Sequence, residues 1–485
     1  MEPILLIDFG STYTKLTAVD VEGERLLGTA AAYTTVETDI NDGLASARKQ
    51  LEEAVGKLEY HACYACSSAA GGLRMITSGL VPELTGEAAR LASLGAGAKV
   101  VGVYAFQMTE DDLAEIRTQK PDIFLLVGGT DGGNTDCIVH NARMLAQLEP
   151  AFPIVIAGNR VAARECQRIL NAHEVYVCPN VMPKFGALNI EPTQKQIREI
   201  FLNRIIQAKG LSKAAELLSD IMMPTPSAVL AAMELLTDGC DGEPGIGELV
   251  AVDVGGATTD VYSIADGMPE HMNTVYKGLP EPYAKRTVEG DIGMRYSIQG
   301  IVDAAGLDTV SRLSGLPKER ITELVKELRS NPDKIPNGDN ELEMLDYALA
   351  CCATREAVSR HAGSISETYT MMGLTYVQEG KNLTKVKQIV VTGGSLIHTK
   401  RTEEIAACAL YDPAQPGSLR PKDAGVWVDR KYILAAMGLL SAYYPKTALR
   451  IMKKELEYYG HSEQADPRRR VCAASQGSSG AMANR

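Results

Sequence analysis

The stretch Ile4-Leu5-Leu6-Ile7-Asp8-Phe9-Gly10-Ser11-Thr12-Tyr13-Thr14-Lys15-Leu16 decides the fold. Its apolar run ends in an acid and passes at once into Gly-Ser-Thr. That pattern reads as a buried strand delivering one carboxylate to a tight turn rich in amides and hydroxyls. The device returns 245 residues later as Leu249-Val250-Ala251-Val252-Asp253-Val254-Gly255-Gly256-Ala257-Thr258-Thr259-Asp260.

Working outward from the first turn, residues 4–9, 13–19 and 24–33 read as three consecutive strands. Residues 43–57 read as a helix and 60–67 as a further strand. Residues 67–72 are a loop of small residues, and 85–94 a helix with Thr85 as its cap. From Gly95 the rhythm becomes strand, helix, strand: strands at 99–106, 122–127, 153–157 and 174–177 alternate with helices, the pattern of a parallel sheet built from βαβ units. Its loops Gly128-Gly129-Thr130-Asp131-Gly132-Gly133 and Gly158-Asn159 follow strands, where open α/β sheets take ligands; they read equally well as plain turns. Residues 183–248 are expected to be mostly helical. A long helical region is expected over about 293–380, broken at Ser330-Asn331-Pro332 and Pro336-Asn337-Gly338. Then Gln388-Ile389-Val390-Val391-Thr392-Gly393-Gly394-Ser395 is a buried strand running into a glycine turn, with helices at 399–408 and 431–443.

Composition excludes several classes. A formal charge of -12, from 49 basic and 61 acidic residues, lacks the basic footprint of a nucleic-acid or anionic-membrane binder. Ten irregularly spaced cysteines fit an intracellular reduced protein. Only Cys63-Tyr64-Ala65-Cys66 has metal or redox spacing; no second pair completes a site, so these two read as small buried strand residues. No apolar run is long enough to span a bilayer and no signal-peptide pattern opens the chain, which gives the expectation of a cytoplasmic protein.

The chemistry of the two turns is that of a nucleoside triphosphate, whose charge is neutralised by positioning and electrostatics alone. Asp8 is placed to hold Mg2+ through water. Gly10, Ser11 and Thr12 offer amides and hydroxyls, and Gly10 lets the backbone approach. Lys15 stands beside the terminal phosphates or is a solvated charge. Asp253, Gly255, Gly256, Thr258 and Thr259 repeat the cradle, so that two turns can clamp one ATP from both sides. Asp253 or Asp260 is placed to orient an attacking water or to hold the metal's water shell. Gly393, Gly394 and Ser395 let the nucleoside lie flat on a helix start. One Asp-x-Gly-Ser-Thr turn alone is more often structural; two, followed by Thr-Gly-Gly-Ser in this order, point to a nucleotide site.

These three stretches resemble the phosphate and adenosine motifs of the superfamily of actin, the seventy-kilodalton heat-shock chaperones and sugar kinases. The resemblance implies an α/β fold: two ribonuclease-H-like domains closing on Mg-ATP, with an inserted doubly wound α/β domain. The implied layout is residues 1–94 for the first part of the first domain, 95–182 for the insert and 183–248 for a helical return. Residues 249–460 form the second domain with a helical insert, and 461–485 a disordered tail. Ser68-Ala69-Ala70-Gly71-Gly72-Leu73-Arg74-Met75, Leu126-Val127-Gly128-Gly129-Thr130-Asp131-Gly132-Gly133-Asn134 and Glu289-Gly290-Asp291-Ile292-Gly293-Met294-Arg295 are similar to the glutamate mutase accessory protein family, MutL type, over about residues 1–460. That resemblance implies an ATP-driven reactivating chaperone of a cobalamin-dependent mutase. The mismatch-repair protein of the same short name uses another ATP fold, whose Glu-to-Asn helix signature and glycine lid are not found here.

Three rivals are weighed against the reactivase: a small-molecule kinase with Asp260 as base, an actin-type nucleotide-controlled scaffold, and an activator of radical dehydratases, ranked last because Cys63 and Cys66 sit on a strand read as buried. The acids of 289–294 either line the nucleoside pocket or open a helix, the preferred reading. No Asp-x-His pattern surrounds His140 or His173, so no cobalamin held directly by histidine is expected. Oligomeric state stays open, a homo-oligomer included.

Overall fold

Residues 1–10, 13–34, 40–68, 73–208, 220–371 and 373–461 are described by the computed structural model. Ser11, Thr12, loop residues 69–72 and the tail from 462 lie outside the described residues. The chain divides into two units. One comprises Met1–Gly245, Lys277–Arg286 and Ile433–Glu455; the other Ile246–Tyr276, Thr287–Tyr432 and the chain from Leu456.

In the first unit, β1 (Pro3–Phe9) is buried along all seven residues, as an unbroken apolar run covered on both faces must be. It pairs antiparallel with β2 (Tyr13–Asp20), which pairs antiparallel with β3 (Arg25–Tyr33). After α1 (Ile40–Val55), β4 (Ala62–Ser67) returns parallel to β1. A second sheet then intervenes before the chain rejoins the first. Its strands are β5 (Leu73–Gly79), β6 (Ala98–Ala105), β7 (Ile123–Leu126), β8 (Ile154–Ile156) and β9 (Val175–Val177), all parallel, in the order β6-β5-β7-β8-β9. Counted along the chain that is 2-1-3-4-5, the doubly wound order. Alternate strand residues enter different cores. Met75, Ile123, Leu125 and Val155 pack with α2 (Glu87–Gly95) and α6 (Glu191–Ala208). Ile76, Phe124, Leu126 and Ile154 pack with α3 (Glu110–Gln119), α4 (Asp136–Leu145) and α5 (Arg160–Ile169). Helices therefore cover both faces. The first of these cores continues without a break into Leu5, Ile7, Phe9 and Leu51 of the opening sheet. Finally β10 (Asp220–Pro224) pairs parallel with β4 and leads into α7 (Thr225–Asp238), followed by the two-residue strands β11 (Gly239–Cys240) and β12 (Glu243–Pro244). The helices Leu434–Ser441 and Pro445–Glu455 complete this unit, Gly438 lying so close to Ala228 of α7 that a side chain would strike its carbonyl.

The second unit repeats the plan. β13 (Leu249–Val254) pairs antiparallel with β14 (Thr259–Ile264). A separate three-stranded sheet is built from β15 (Thr274–Lys277) and a later hairpin, and β16 (Ala284–Glu289) lies outside β14. The helices α8 (Ile298–Ala305), α9 (Leu307–Ser314), α10 (Lys318–Ser330) and α11 (Asn340–His361) follow. α11 begins where Asp339 caps the amides of Glu341 and Leu342. The hairpin is β17 (Ser364–Thr370) with β18 (Gly373–Glu379). β19 (Gln388–Thr392) returns parallel to β13, α12 (Gly394–Ile397) and α13 (Thr402–Ala406) follow, and β20 (Gly425–Val428) pairs parallel with β19. With β21 (Glu457–His461) the sheet order is β16-β14-β13-β19-β20-β21, and its first five places match β3-β2-β1-β4-β10 one for one. The fold is thus α/β, with two ribonuclease-H-like sheets and an inserted doubly wound sheet.

The structure departs from the sequence reading at several elements. Residues 364–379 are strands, not the end of a helical region. β5 occupies a stretch read as having no element. Thr85 does not cap a helix: its Oγ1 accepts from the amides of Leu80 and Val81, and a π turn, Pro82–Gly86, precedes α2. The 399–408 helix is the short α13 followed by a 3-10 turn, Ala407–Ala409.

Candidate functional site

Each unit carries one acid-and-glycine hairpin of identical length. In the first, Asp8 faces Lys15 across the ladder and Gly10 N–H donates to Tyr13 O at 3.1 Å. In the second, Asp253 faces Asp260 and Gly255 N–H donates to Thr258 O at 2.9 Å. Both first glycines are required by closeness: a Cβ would lie 2.5 Å from Tyr13 O at Gly10 and 2.9 Å from Thr258 O at Gly255. The turns close alike but present opposite charge at the paired position.

In the first unit the structure brings Asp8, Gly10 and Lys15 together, and adds two residues that sequence reasoning missed. Asp8 is buried, with Lys15 Nζ 3.5 Å from Oδ2. Thr225 Oγ1 donates to Asp8 Oδ1 at 2.6 Å, and the Cys66 thiol lies 3.6 Å from the same oxygen. These groups converge because β1, β4 and β10 run parallel and end together, the edge where open α/β sheets place their chemistry. Burial, then the Asp8 charge, push the Cys66 thiol well above its ordinary range, so it stays protonated.

In the second unit the expected residues also meet. Thr259 is buried with its hydroxyl donating to Ile292 O at 3.0 Å, and Thr258 Oγ1 donates to Asp260 Oδ2 at 3.4 Å. Gly393 sits at φ +102, and a Cβ there would fall 2.4 Å from Val254 O, so the glycine turn after β19 lies directly on the end of β13. Gly394 is exposed, with nothing within 4 Å of its Cβ position, and Ser395 is half-buried beside it. Sequence reading also missed Asp429, a buried carboxylate immediately after β20 that accepts from Thr392 Oγ1 at 3.4 Å.

The acids of 289–294 start no helix; α8 begins at Ile298. Glu289 and Asp291 instead receive Arg360, at 2.7 and 3.0 Å. The following residues clasp the second turn: the amides of Met294, Arg295 and Tyr296 donate to the carbonyls of Gly255 and Gly256. A trans peptide points its C=O and N–H in opposite directions, so the Gly256 and Ala257 N–H groups face away from that clasp. Among the described residues no protein acceptor takes either N–H, and Ala257 is exposed. Two outward amides beside a carboxylate fit a phosphate with its Mg2+.

The glycine loops of the inserted sheet do not share this property. Asp131 N–H is taken by Pro183 O, Gly132 N–H by Asn159 Oδ1 and Gly133 N–H by Thr130 O. The buried amides of Asn159 and Asn180 tie the loop carbonyls of Gly129, Gly133 and Asn134, so the loop is a structural knot. A cavity of about 350 Å3 lined by Gln299, Val302, Asp303, Leu307, Thr322 and Val325 includes no residue of either hairpin. Among the described residues no three His, Cys, Asp or Glu are grouped to hold a metal ion. Among them, too, no helix is long and apolar enough to cross a membrane.

Two ribonuclease-H-like sheets, each with an acid-and-glycine hairpin on its central strand, define a protein of the actin, heat-shock chaperone and sugar-kinase class. Residues 4–456 match the family described as MutL protein, and the chain belongs to that family. A relative, Protein MutL of Clostridium tetanomorphum, is 47% identical over 460 residues, covering 94% of this chain and 99% of its own. Solved structures it is similar to include a ligand-bound xylulose kinase from Lactobacillus acidophilus, 11% identical, TM-score 0.39, covering 98% of this chain and 96% of that one. Plasmodium falciparum glycerol kinase with ADP is 10% identical, TM-score 0.34, covering 99% and 97%. Component A of (R)-2-hydroxyglutaryl-CoA dehydratase from Acidaminococcus fermentans is 10% identical, TM-score 0.29, covering 94% and 99%. TM-scores this low carry no weight of their own; the class rests on the two sheet orders.

Proposed function

We propose that the chain is an accessory ATPase that binds Mg-ATP through its two hairpins and uses hydrolysis to reactivate or chaperone a cobalamin-dependent mutase such as glutamate mutase. The observation that supports this best is the repeated hairpin, with outward Gly256 and Ala257 amides beside Asp253. Asp8 and Asp253 hold the metal's water shell, Gly10, Ser11, Thr12, Lys15, Gly255, Gly256, Thr258 and Thr259 the phosphates, and Gly393, Gly394 and Ser395 the nucleoside. Asp260 or Asp253 orients the attacking water. When bound, Mg2+ supplies the charge that the γ-phosphate needs to be attacked. Membership in the MutL family supports the mutase partner. A cytoplasmic location accompanies that partner.

Isothermal titration of Mg-ATP into the wild type, Asp8→Ala and Asp253→Ala tests the site. Heat that both substitutions abolish supports it; no heat in the wild type sinks it. Release of free phosphate, faster with a damaged-cofactor mutase present, separates the reactivase from the kinase alternative, in which Asp260 is the base and a phosphorylated small molecule appears. ATP-dependent pelleting would favour the scaffold.

A further inference from the structure

Residues 289–296 form a latch across the second turn, and the latch is bolted to one helix at two places. The Arg295 guanidinium makes a two-pronged bond to Asp346 of α11, Nη1 to Oδ1 at 3.0 Å and Nη2 to Oδ2 at 2.7 Å, while its Nε donates to Lys334 O at 3.2 Å. Arg360, near the other end of α11, holds Glu289 and Asp291. Asp346 and Arg360 are four helical turns apart, about 21 Å at 1.5 Å per residue. Between the bolts there is no slack: a Cβ on Gly300 would lie 1.8 Å from Asp291 O, and one on Gly293 2.4 Å from the Ala257 carbonyl carbon.

The main chain of Arg295 donates to Gly256 O at 2.8 Å, so the residue gripping α11 by its side chain grips the turn by its backbone. Each carbonyl the latch takes fixes the next N–H on the opposite side of a planar peptide. Burying a charge pair adds little net stability compared with an apolar pair, but it fixes geometry in two directions at once. We propose that the Arg295–Asp346 pair is the positioning element of the second phosphate turn, with α11 the rigid bar that aims the Gly256 and Ala257 amides at the nucleotide's phosphates. This rests on the Mg-ATP reading of that turn. It also makes α11 the element through which movement in the helical layer would reach the phosphates.

The test uses the full chain with Asp346→Asn and Arg295→Lys, and Arg320→Ala as control. The control breaks the exposed Arg320–Glu341 pair, which also joins α11 to a neighbouring helix. Mg-ATP affinity and amide hydrogen exchange over residues 253–260 are read together. Both latch variants are expected to lose affinity by about tenfold or more and to exchange faster at the turn, with the control unchanged. Lower melting temperature with wild-type affinity and exchange would overturn the proposal, leaving the pair a fastening of the fold. Should Asp346→Asn fail to fold, Arg295→Lys keeps the charge while losing the two-pronged geometry. If the wild type binds no Mg-ATP, the nucleotide reading fails by itself; unchanged exchange in the variants then overturns the latch as well, and faster exchange upholds it.

Discussion

Asp253 stands directly opposite Asp260 in the ladder of the second hairpin, at the register where the first hairpin sets Asp8 against Lys15. Like charges directly opposite on a sheet face cost about 0.2–1 kcal/mol, a cost that a bound metal cation would offset. Asp260→Asn is therefore expected to raise the melting temperature of the nucleotide-free protein slightly while lowering ATP hydrolysis by about a hundredfold. Calorimetry and phosphate release measure the two effects; a variant that is less stable and fully active would refute the assignment.

Thr225 is the second case. Its hydroxyl is the shortest partner of Asp8, and Thr225→Val keeps the shape while removing the donor. A hydrogen bond to a buried carboxylate contributes about 1.5–3 kcal/mol, so the melting temperature falls; because Asp8 is then held by the longer contacts of Lys15 and Cys66, Mg-ATP affinity falls about tenfold. Titration at several Mg2+ concentrations checks this, and Thr225→Ser is expected to recover most of the affinity. Equal affinity in the valine variant would make Thr225 packing only.

Gly393 offers a steric test. Alanine there meets a left-handed φ of +102 and a Cβ 2.4 Å from Val254 O, a cost of at least about 2 kcal/mol. Gly394→Ala, with open space around its Cβ position, is expected to leave stability nearly unchanged. Any loss of ATP affinity in Gly394→Ala thus reports contact with the nucleoside rather than misfolding, and the pair of melting curves with titrations distinguishes the two glycines.

Both hairpins were legible because everything that defines them is local: a buried strand, an acid, and a glycine where the turn closes on itself. Thr225 and Cys66 were not, because they reach Asp8 from 217 and 58 residues away through parallel pairing, and register between distant strands leaves no mark on either segment. β17 and β18 were hidden for a different reason. β17 is exposed along nearly its whole length, so no alternation of apolar and polar residues marks it as a strand. Residues 289–294 looked like a helix start because acids are common there, whereas their acids serve Arg360 across 69 to 71 positions of sequence. The sequence pattern located the carboxylates; the long-range partners that orient them required the fold.

His173 gives a pH test of the inserted sheet's edge. The ring is buried after α5, and among the described residues neither nitrogen has a hydrogen-bond partner. Burial pushes its pKa below the ordinary histidine value. The unfolded chain, titrating near 6.5, then binds a proton that the folded chain does not. Stability from this group is complete above about pH 6.5 and is lost as pH falls towards the folded value. His173→Phe, which fills the space without titrating, is expected to flatten the dependence of the urea midpoint between about pH 7.5 and 5 relative to wild type. Identical slopes in the two proteins would show that His173 is protonated within the fold, and that a partner for it must be sought.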